Sequence, residues 1–277
     1  MKRVLLSATL AMIATGTVAA QRAIPDDNLA YPASLVLEGD GAGSGFFLNT
    51  TGATYLVTSK HLLLTGDPPK LRSNSVTVLS FGRDLNDSGR NRFVLDLVAL
   101  KTAGVVYWHA TRDVVLIKLG TIQEGKLRPF DGVTMIAKAS SGILGASIAN
   151  LKKLSDVLVA NDVYVFGYPR SLGLADLPQL DPDRPLLRKG IIAGINPALQ
   201  SIVIDCPVYP GNSGGPVLEV HAVGLDREFR IIGLVSEFVP FVETWTEITH
   251  GWTNHTISNS GYSIVVPADF ILQVIPQ

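Results

Sequence analysis

Apolar residues in this chain gather in short runs of about five to seven, separated by polar and turn-forming residues, a pattern that predicts strands rather than long helices. Ser34 to Glu38, Gly43 to Asn49, Thr54 to Thr58, Ser75 to Ser80, Phe93 to Leu97, Gly104 to Trp108 and Val114 to Leu119 are rich in Val, Ile, Leu, Phe and Thr. Gly39-Asp40-Gly41 and Asn49-Thr50-Thr51-Gly52 fit hairpin connections between such strands. Short strands at this spacing predict an all-β barrel or sandwich.

From Pro129 to Leu158 the pattern loosens into Ala, Ser, Gly and Lys, which marks a crossing into a second β unit. That unit is predicted to use Asp162 to Gly167, Gly190 to Ile195, Gln200 to Asp205, Pro216 to Val220, Phe229 to Ser236 and Tyr262 to Val266. Leu177 to Pro185 is rich in proline and reads as a loop in which no helix persists. Ala268 to Ile275 follows Pro267 with apolar residues at helical intervals, so a short C-terminal helix is expected. Between two of the strands lies Val239 to Ser260, with Trp245, Trp252, His250 and His255, which reads either as a flap over a binding site or as a folded surface loop.

Composition narrows the class. The chain has 277 residues, 47% of them hydrophobic, and a net charge of −1. It can bury a large core, and its scattered Lys and Arg lack the basic patch of a nucleic-acid binder. Lys2 and Arg3, an apolar run from Val4 to Val18, and Val18-Ala19-Ala20 before Gln21 have the form of a secretory signal peptide. Residues 1–20 are therefore expected to be removed, by cleavage after Ala20 or alternatively Ala19, in a protein that is periplasmic or secreted; an uncleaved anchor is the competing reading. No other run reaches the length of a membrane span, so none is expected in the mature chain. Cys206 is the only cysteine, which excludes an intrachain disulfide.

The candidate chemistry centres on Gly211-Asn212-Ser213-Gly214-Gly215-Pro216. Glycines on both sides let the backbone turn sharply, leave the Ser213 hydroxyl uncovered, and can aim the amides of Gly211 and Ser213 at one point as an oxyanion hole. The plainer reading is a Gly-rich turn between strands. A serine nucleophile needs a base and a group that orients the base. His61 follows the strand Thr54 to Thr58, a rigid place for a base, whereas His109, His221, His250 and His255 sit in less defined settings. Asp113 immediately precedes the apolar run Val114 to Ile117 and so enters the core with its strand; Asp96 is the competing carboxylate.

With these residues in place the chain resembles the trypsin-like serine proteases of the two-barrel fold, and among them the bacterial secreted and HtrA-type members. The resemblance covers about Ser34 to Val274. It is carried by Gly43-Ser44-Gly45-Phe46-Phe47, Thr58-Ser59-Lys60-His61, Asp113 to Ile117, Gly167-Tyr168-Pro169, Gly211 to Pro216, Gly233-Leu234-Val235-Ser236 and Gly261 to Pro267. Thr-Ser-Lys-His departs from the commoner Thr-Ala-Ala-His at positions that do no chemistry. The resemblance implies an all-β fold of two six-stranded antiparallel barrels with a short C-terminal helix. The first barrel would span about 29–128 and the second about 155–277, all within a protease domain at 21–277. It implies a His61, Asp113, Ser213 triad that hydrolyses peptide bonds of a protein or peptide substrate through an acyl-enzyme, with no cofactor or metal.

Family members activated by cleavage carry an aspartate where this chain has Asn212, so no such activation step is expected. The primary pocket implied by the resemblance involves Val208, Val235, Ser236, Phe238 and Gly261. With no Asp or Glu at the pocket floor that the resemblance puts near Pro207, an apolar residue before the scissile bond is expected, and Glu237 is the feature that would instead draw a basic one. Two other readings stand beside this one. Gly211-x-Ser213-x-Gly215 also matches the elbow of α/β-hydrolase esterases, although a strand, not a helix, is predicted after it. A non-catalytic protein could hold a peptide on the same scaffold. The chain closes just after the predicted helix, so a C-terminal PDZ domain is not expected, and the oligomeric state is open. His250 and His255 lack an evident third ligand for a metal.

Overall fold

A computed structural model gives the fold of residues 24, 28, 31–39, 41–82, 89–169, 177–181, 184–223 and 226–276. The expected signal segment, 1–20, lies outside the described residues, as does part of the proline-rich loop.

Two curled β units make up the protein. The first contains β1 (Pro32–Leu37), β2 (Ala42–Asn49), β3 (Ala53–Thr58), β4 (Leu64–Thr65), β5 (Lys70–Leu71), β6 (Ser75–Phe81), β7 (Arg90–Asp96), β8 (Val106–Trp108), β9 (Val115–Gln123), β10 (Lys126–Pro129), β11 (Val133–Ala137) and β12 (Ala146–Ser147). Its main sheet has ten strands in the order β10-β9-β3-β2-β1-β6-β7-β11, with β8 on β9 and β12 on β2, while β4 and β5 pair separately. The second unit contains β13 (Asp162–Gly167), β14 (Leu186–Asn196), β15 (Ser201–Asp205), β16 (Pro216–Val223), β17 (Asp226–Thr246) and β18 (Thr253–Pro267). These six close into a barrel in the order β13-β14-β15-β18-β17-β16. They are accompanied by the short α-helices α1 (Lys60–Leu63), α2 (Leu97–Thr102) and α3 (Ala268–Val274).

The two-barrel class holds, with two differences of extent. The first sheet has more strands than six and runs past the expected boundary near 128, because β11 pairs with β7 and β12 pairs with β2. Both β10 and β11 are largely exposed edge strands, so they lack the continuous apolar run that marks a buried strand. The segment Val239 to Ser260 is an arm rather than an irregular loop. β17 and β18 stay paired beyond the barrel out to Thr246 opposite Thr253.

The strands that deliver the candidate residues are buried on both faces. All of β3 is buried, with Leu56 in the core of the first unit and Tyr55 and Val57 in a second core shared by both units. β9 does the same: Val115, Ile117 and Leu119 face the first core, and Leu116, with Val114 just ahead of the strand, faces the shared one. This explains their unbroken apolar runs and holds the C-terminal end of β3 and the N-terminal end of β9 in place. α3 seals the shared core with Ala268, Phe270 and Ile271. The connecting stretch is anchored by buried Glu219, which accepts from the Leu158 amide and pairs with Lys152 at 2.7 Å.

Candidate active site

His61 sits in α1, just past the end of β3, and Asp113 sits just ahead of β9, which pairs with β3 through Thr58 and Val115. That register brings the two residues together. Asp113 accepts from the His61 amide through Oδ1 at 2.8 Å, and its Oδ2 lies 2.8 Å from His61 Nδ1. Ser236 Oγ, on β17, donates to the same Oδ2 at 2.8 Å. Burial pushes the Asp113 carboxyl up, but the bonds from His61 and Ser236 and the attraction of the imidazole outweigh it, and its pKa lies below the usual carboxylate value. The imidazole is thereby oriented from one side, while His61 remains accessible on the other, its side chain 46% exposed.

Asp96 is excluded as the orienting group. It caps α2 by accepting from the Ala99 amide at 2.9 Å. The other histidines also have other partners or positions: His109 accepts from the Thr111 and Arg112 amides, His250 lies against Glu247, His255 against Thr244, and His221 is exposed on β16.

Ser213 comes from the second unit and faces His61 and Asp113 across a cleft of about 460 Å³, which Val208, Tyr209, Pro210, Ser236, Glu237 and Phe238 also line. Its loop is held by both units. Gly211 and Gly214 take positive φ values of 95° and 84°, conformations that glycine adopts without strain. Buried Ser44 on β2 donates from its amide to the Ser213 carbonyl at 2.8 Å and from Oγ to the Gly211 carbonyl at 2.6 Å. Ser44 Oγ in turn accepts from the Tyr168 amide at 2.9 Å. The Gly214 amide donates to the Val235 carbonyl, which also accepts from Ser59 Oγ. Asn212 is buried and folds onto its own loop, accepting the Tyr209 amide through Oδ1.

Among the described residues, neither the Gly211 nor the Ser213 amide donates to a protein group. Ser213 Oγ donates to the Ser236 carbonyl at 3.1 Å, and no hydrogen bond joins it to His61. Catalytic hydrogen bonds are often loose before substrate binds, and a rotation about one side-chain bond re-aims a serine hydroxyl.

Of the pocket residues implied by the resemblance, Val208, Ser236 and Phe238 line the cleft, whereas Val235 and Gly261 do not. The Val235 side chain is fully buried in the barrel core, because alternation along β17 turns it inward, and its contribution is the backbone ladder to Gly214 and Gly215. Gly261 accepts from the Cys206 amide away from the cleft. Sequence reasoning missed Ser44 as the brace of the Ser213 loop, and Ser236 as a donor to Asp113. Both stand in quoted motifs, but their partners are distant in sequence, 167 residues away for Ser44 and Gly211 and 123 for Ser236 and Asp113.

A family model described as "Trypsin-like peptidase domain" matches residues 43–225, which include all three candidate positions. No curated protein matches the chain. Among solved structures, the chain is similar to the protease Anisep from Arthrobacter nicotinovorans, with 11% identity and a TM-score of 0.50 over 89% of this chain and 93% of that one. It is also similar to Deg5, with 14% identity and a TM-score of 0.47 over 88% and 87%. The HtrA-type protease AlgW, solved with a tripeptide, gives 15% identity and a TM-score of 0.47 over 89% of this chain and 59% of that one. At 11% identity the likeness to Anisep bears on the fold alone.

Proposed function

The chain belongs to the trypsin-like peptidase family and is a serine protease, and from that premise we propose that it cleaves peptide bonds through His61, Asp113 and Ser213. Ser213 Oγ attacks the scissile carbonyl while His61 Nε2 takes its proton. The C–N bond then breaks, His61 gives the proton to the leaving amine, and water repeats the sequence on the acyl-enzyme. Asp113 holds Nδ1–H and stabilises the imidazolium, and the amides of Gly211 and Ser213 receive the developing oxyanion. The observation that carries this reading is the doubly bonded Asp113–His61 pair sharing one cleft with a serine on a glycine-flanked loop.

Val208 and Phe238 on the cleft wall support preference for an apolar residue before the scissile bond, with Glu237 as the group that would draw a basic one. Asn212, turned into its own loop, offers no carboxylate for a newly cut N-terminus, so activity needs no internal trimming. The form of residues 1–20 supports export to the periplasm or medium, and N-terminal sequencing of the exported protein should find Gln21 or Ala20 first.

A second reading, a peptide-holding protein without turnover, draws on the Ser213 hydroxyl bonding the Ser236 carbonyl in place of His61. A fluorophosphonate probe separates the two. Labelling of the intact protein that is lost in Ser213→Ala supports the protease, along with a fall in kcat/KM on the order of 10⁶-fold. Absence of labelling supports the holding protein. A peptide library varied before the scissile bond tests specificity, and a clear Arg, Lys or Glu preference there would overturn the apolar pocket.

A further inference from the structure

β17 changes character where it passes the nucleophile. On one edge it pairs with β16 up to Leu234, opposite Pro216, and the ladder is continued by the two bonds between Val235 and the Gly214–Gly215 backbone. Beyond that point this edge has no strand partner among the described residues. It runs free from Ser236 and Glu237, which line the cleft, out to Thr246, while the other edge stays paired with β18. A free backbone edge is a template for an added strand. This one starts at the candidate nucleophile.

The side chains on the arm point the same way. Phe241, Glu243 and Trp245 share one face, since alternate residues of a strand do, and lie directly opposite Ser258, Thr256 and Asn254. Cross-strand apolar pairs normally stabilise such a ribbon, yet Phe241 and Trp245 face small polar residues and stay 52% and 63% exposed. Their apolar partners are therefore missing on the side of the free edge. Between them stands Glu243, and at the base stands Glu237; neither has an ion-pair partner among the described residues. No Lys or Arg occurs anywhere after Arg230.

We propose that the free edge of β17 from Phe241 to Trp245, on the arm beyond the cleft, receives the far upstream part of a polypeptide substrate, past the residues next to the scissile bond, as an added antiparallel strand. Alternate apolar, basic and apolar side chains of that strand lie beside Phe241, Glu243 and Trp245. The antiparallel direction follows from the chemistry. β17 runs outward from the cleft, so an antiparallel peptide has its C-terminal end, the acyl side of the bond to be cut, at Ser213. One-to-one opposition places the selected residues roughly five to nine positions upstream. The proposal rests on the protease reading and specifies its substrate as an extended segment in the order apolar-x-(Lys/Arg)-x-apolar.

The test compares kcat/KM for two fluorogenic peptides that share the residues next to the scissile bond, one short and one extended upstream with the alternating segment. The extended peptide should be favoured about tenfold, a modest binding gain. That ratio should fall towards one when Val242–Ile257 is replaced by an Asn-Gly turn, with fluorophosphonate labelling reporting an intact site. Glu243→Lys, which leaves the arm in place, should lower the ratio for a Lys-bearing segment and raise it for a Glu-bearing one. N-methylation along the extended peptide should reduce the gain at alternate positions, as strand pairing requires. A ratio unchanged by both variants overturns the proposal. So does arm-dependent dimerisation in sedimentation, or arm-dependent binding to phosphatidylcholine vesicles, with the ratio unaffected. Failure to cleave either peptide or to label Ser213 overturns the protease reading itself, and is thereby told apart from failure of the arm.

Discussion

The Ser213 loop and the β17–β18 arm border the same cleft but are built in opposite ways. The loop is bonded by Ser44 of the first unit and by Val235 of the second, whose carbonyls accept from Thr58 Oγ1 and Ser59 Oγ, and all four residues are buried. Among the described residues the arm is attached by its own two strands and, at its base, by Asn259 Nδ2 donating to the Val208 carbonyl at 2.7 Å, and its tip is open, with Ile248 97% and Trp252 78% exposed. Chemistry that needs donors fixed to a fraction of an ångström belongs where both units hold the backbone. A ribbon free on one edge can receive partners of varied sequence. The same substitution should therefore act very differently in the two places.

The largest effect is expected for Gly214→Ala. Its φ of +84° already disfavours a side chain, and a Cβ there would run into the Ser44 carbonyl oxygen, Thr58 Oγ1 and the Ser59 amide. None of these can move without loosening the clamp. A stability loss above about 3 kcal/mol and a drop in kcat/KM of at least roughly 100-fold are expected. Denaturant melts and peptide kinetics check both; a wild-type rate would show that the loop is not held as the bonds around it imply.

The contrast also explains what was legible in the sequence. β3 and β9 are buried on both faces, so they announced themselves as unbroken apolar runs, and the residues at their ends, His61 and Asp113, could be named. The loop around Ser213 was legible because its glycines answer local backbone demands. The clamp was not, since Ser44 meets Gly211 only after the chain has folded. The arm was read as a flap or loop for a physical reason as well. With neither face buried, its strands alternate Phe, Glu, Trp and Thr without the apolar stripe that a core imposes. Val235 was assigned to the pocket because its motif lies there, but the pleat turns its side chain into the core.

Ser44→Ala probes the clamp more gently. It leaves the Gly211 carbonyl and the Tyr168 amide without their buried partner, at a cost of about 1–3 kcal/mol. The Gly211 amide is then less well aimed, so kcat should fall about tenfold with little change in KM, as expected for a contact that matters in the transition state. An equal loss in KM would instead place Ser44 in substrate binding.

Acid sharpens the comparison further, since each region holds one carboxylate with a depressed pKa. Asp113 is held down against burial by His61 and Ser236, and Glu247 at the arm tip by the Thr249 side chain and the amides of His250 and Thr249. A carboxylate whose folded pKa is depressed contributes stability above its unfolded value, near 3.8 for Asp113, and that contribution is lost as pH falls through the lower folded value. Asp113→Asn should thus narrow the gap in melting temperature to wild type as pH drops below about 4. Glu247→Gln should change the acid limb far less, and salt should erase what remains, because that carboxylate lies on the exposed tip of the arm.

The smallest effect is expected for Gly251→Ala. Gly251 also has a positive φ, 71°, but a Cβ there meets no atom within 4 Å. The cost is the intrinsic penalty of a left-handed alanine, about 1–2 kcal/mol, and it falls on the turn closed by the bond from the Glu247 amide to the Trp252 carbonyl. Because the arm opens without unfolding the barrel, global stability should stay within about 0.5 kcal/mol of wild type. Hydrogen exchange should quicken at the Glu247 and Gly251 amides, which bond across this turn, and remain slow at Gly214 and Val235. A global loss approaching that of Gly214→Ala would mean that arm and barrel unfold as one unit, and the distinction between a fixed Ser213 loop and an independently opening ribbon would fail.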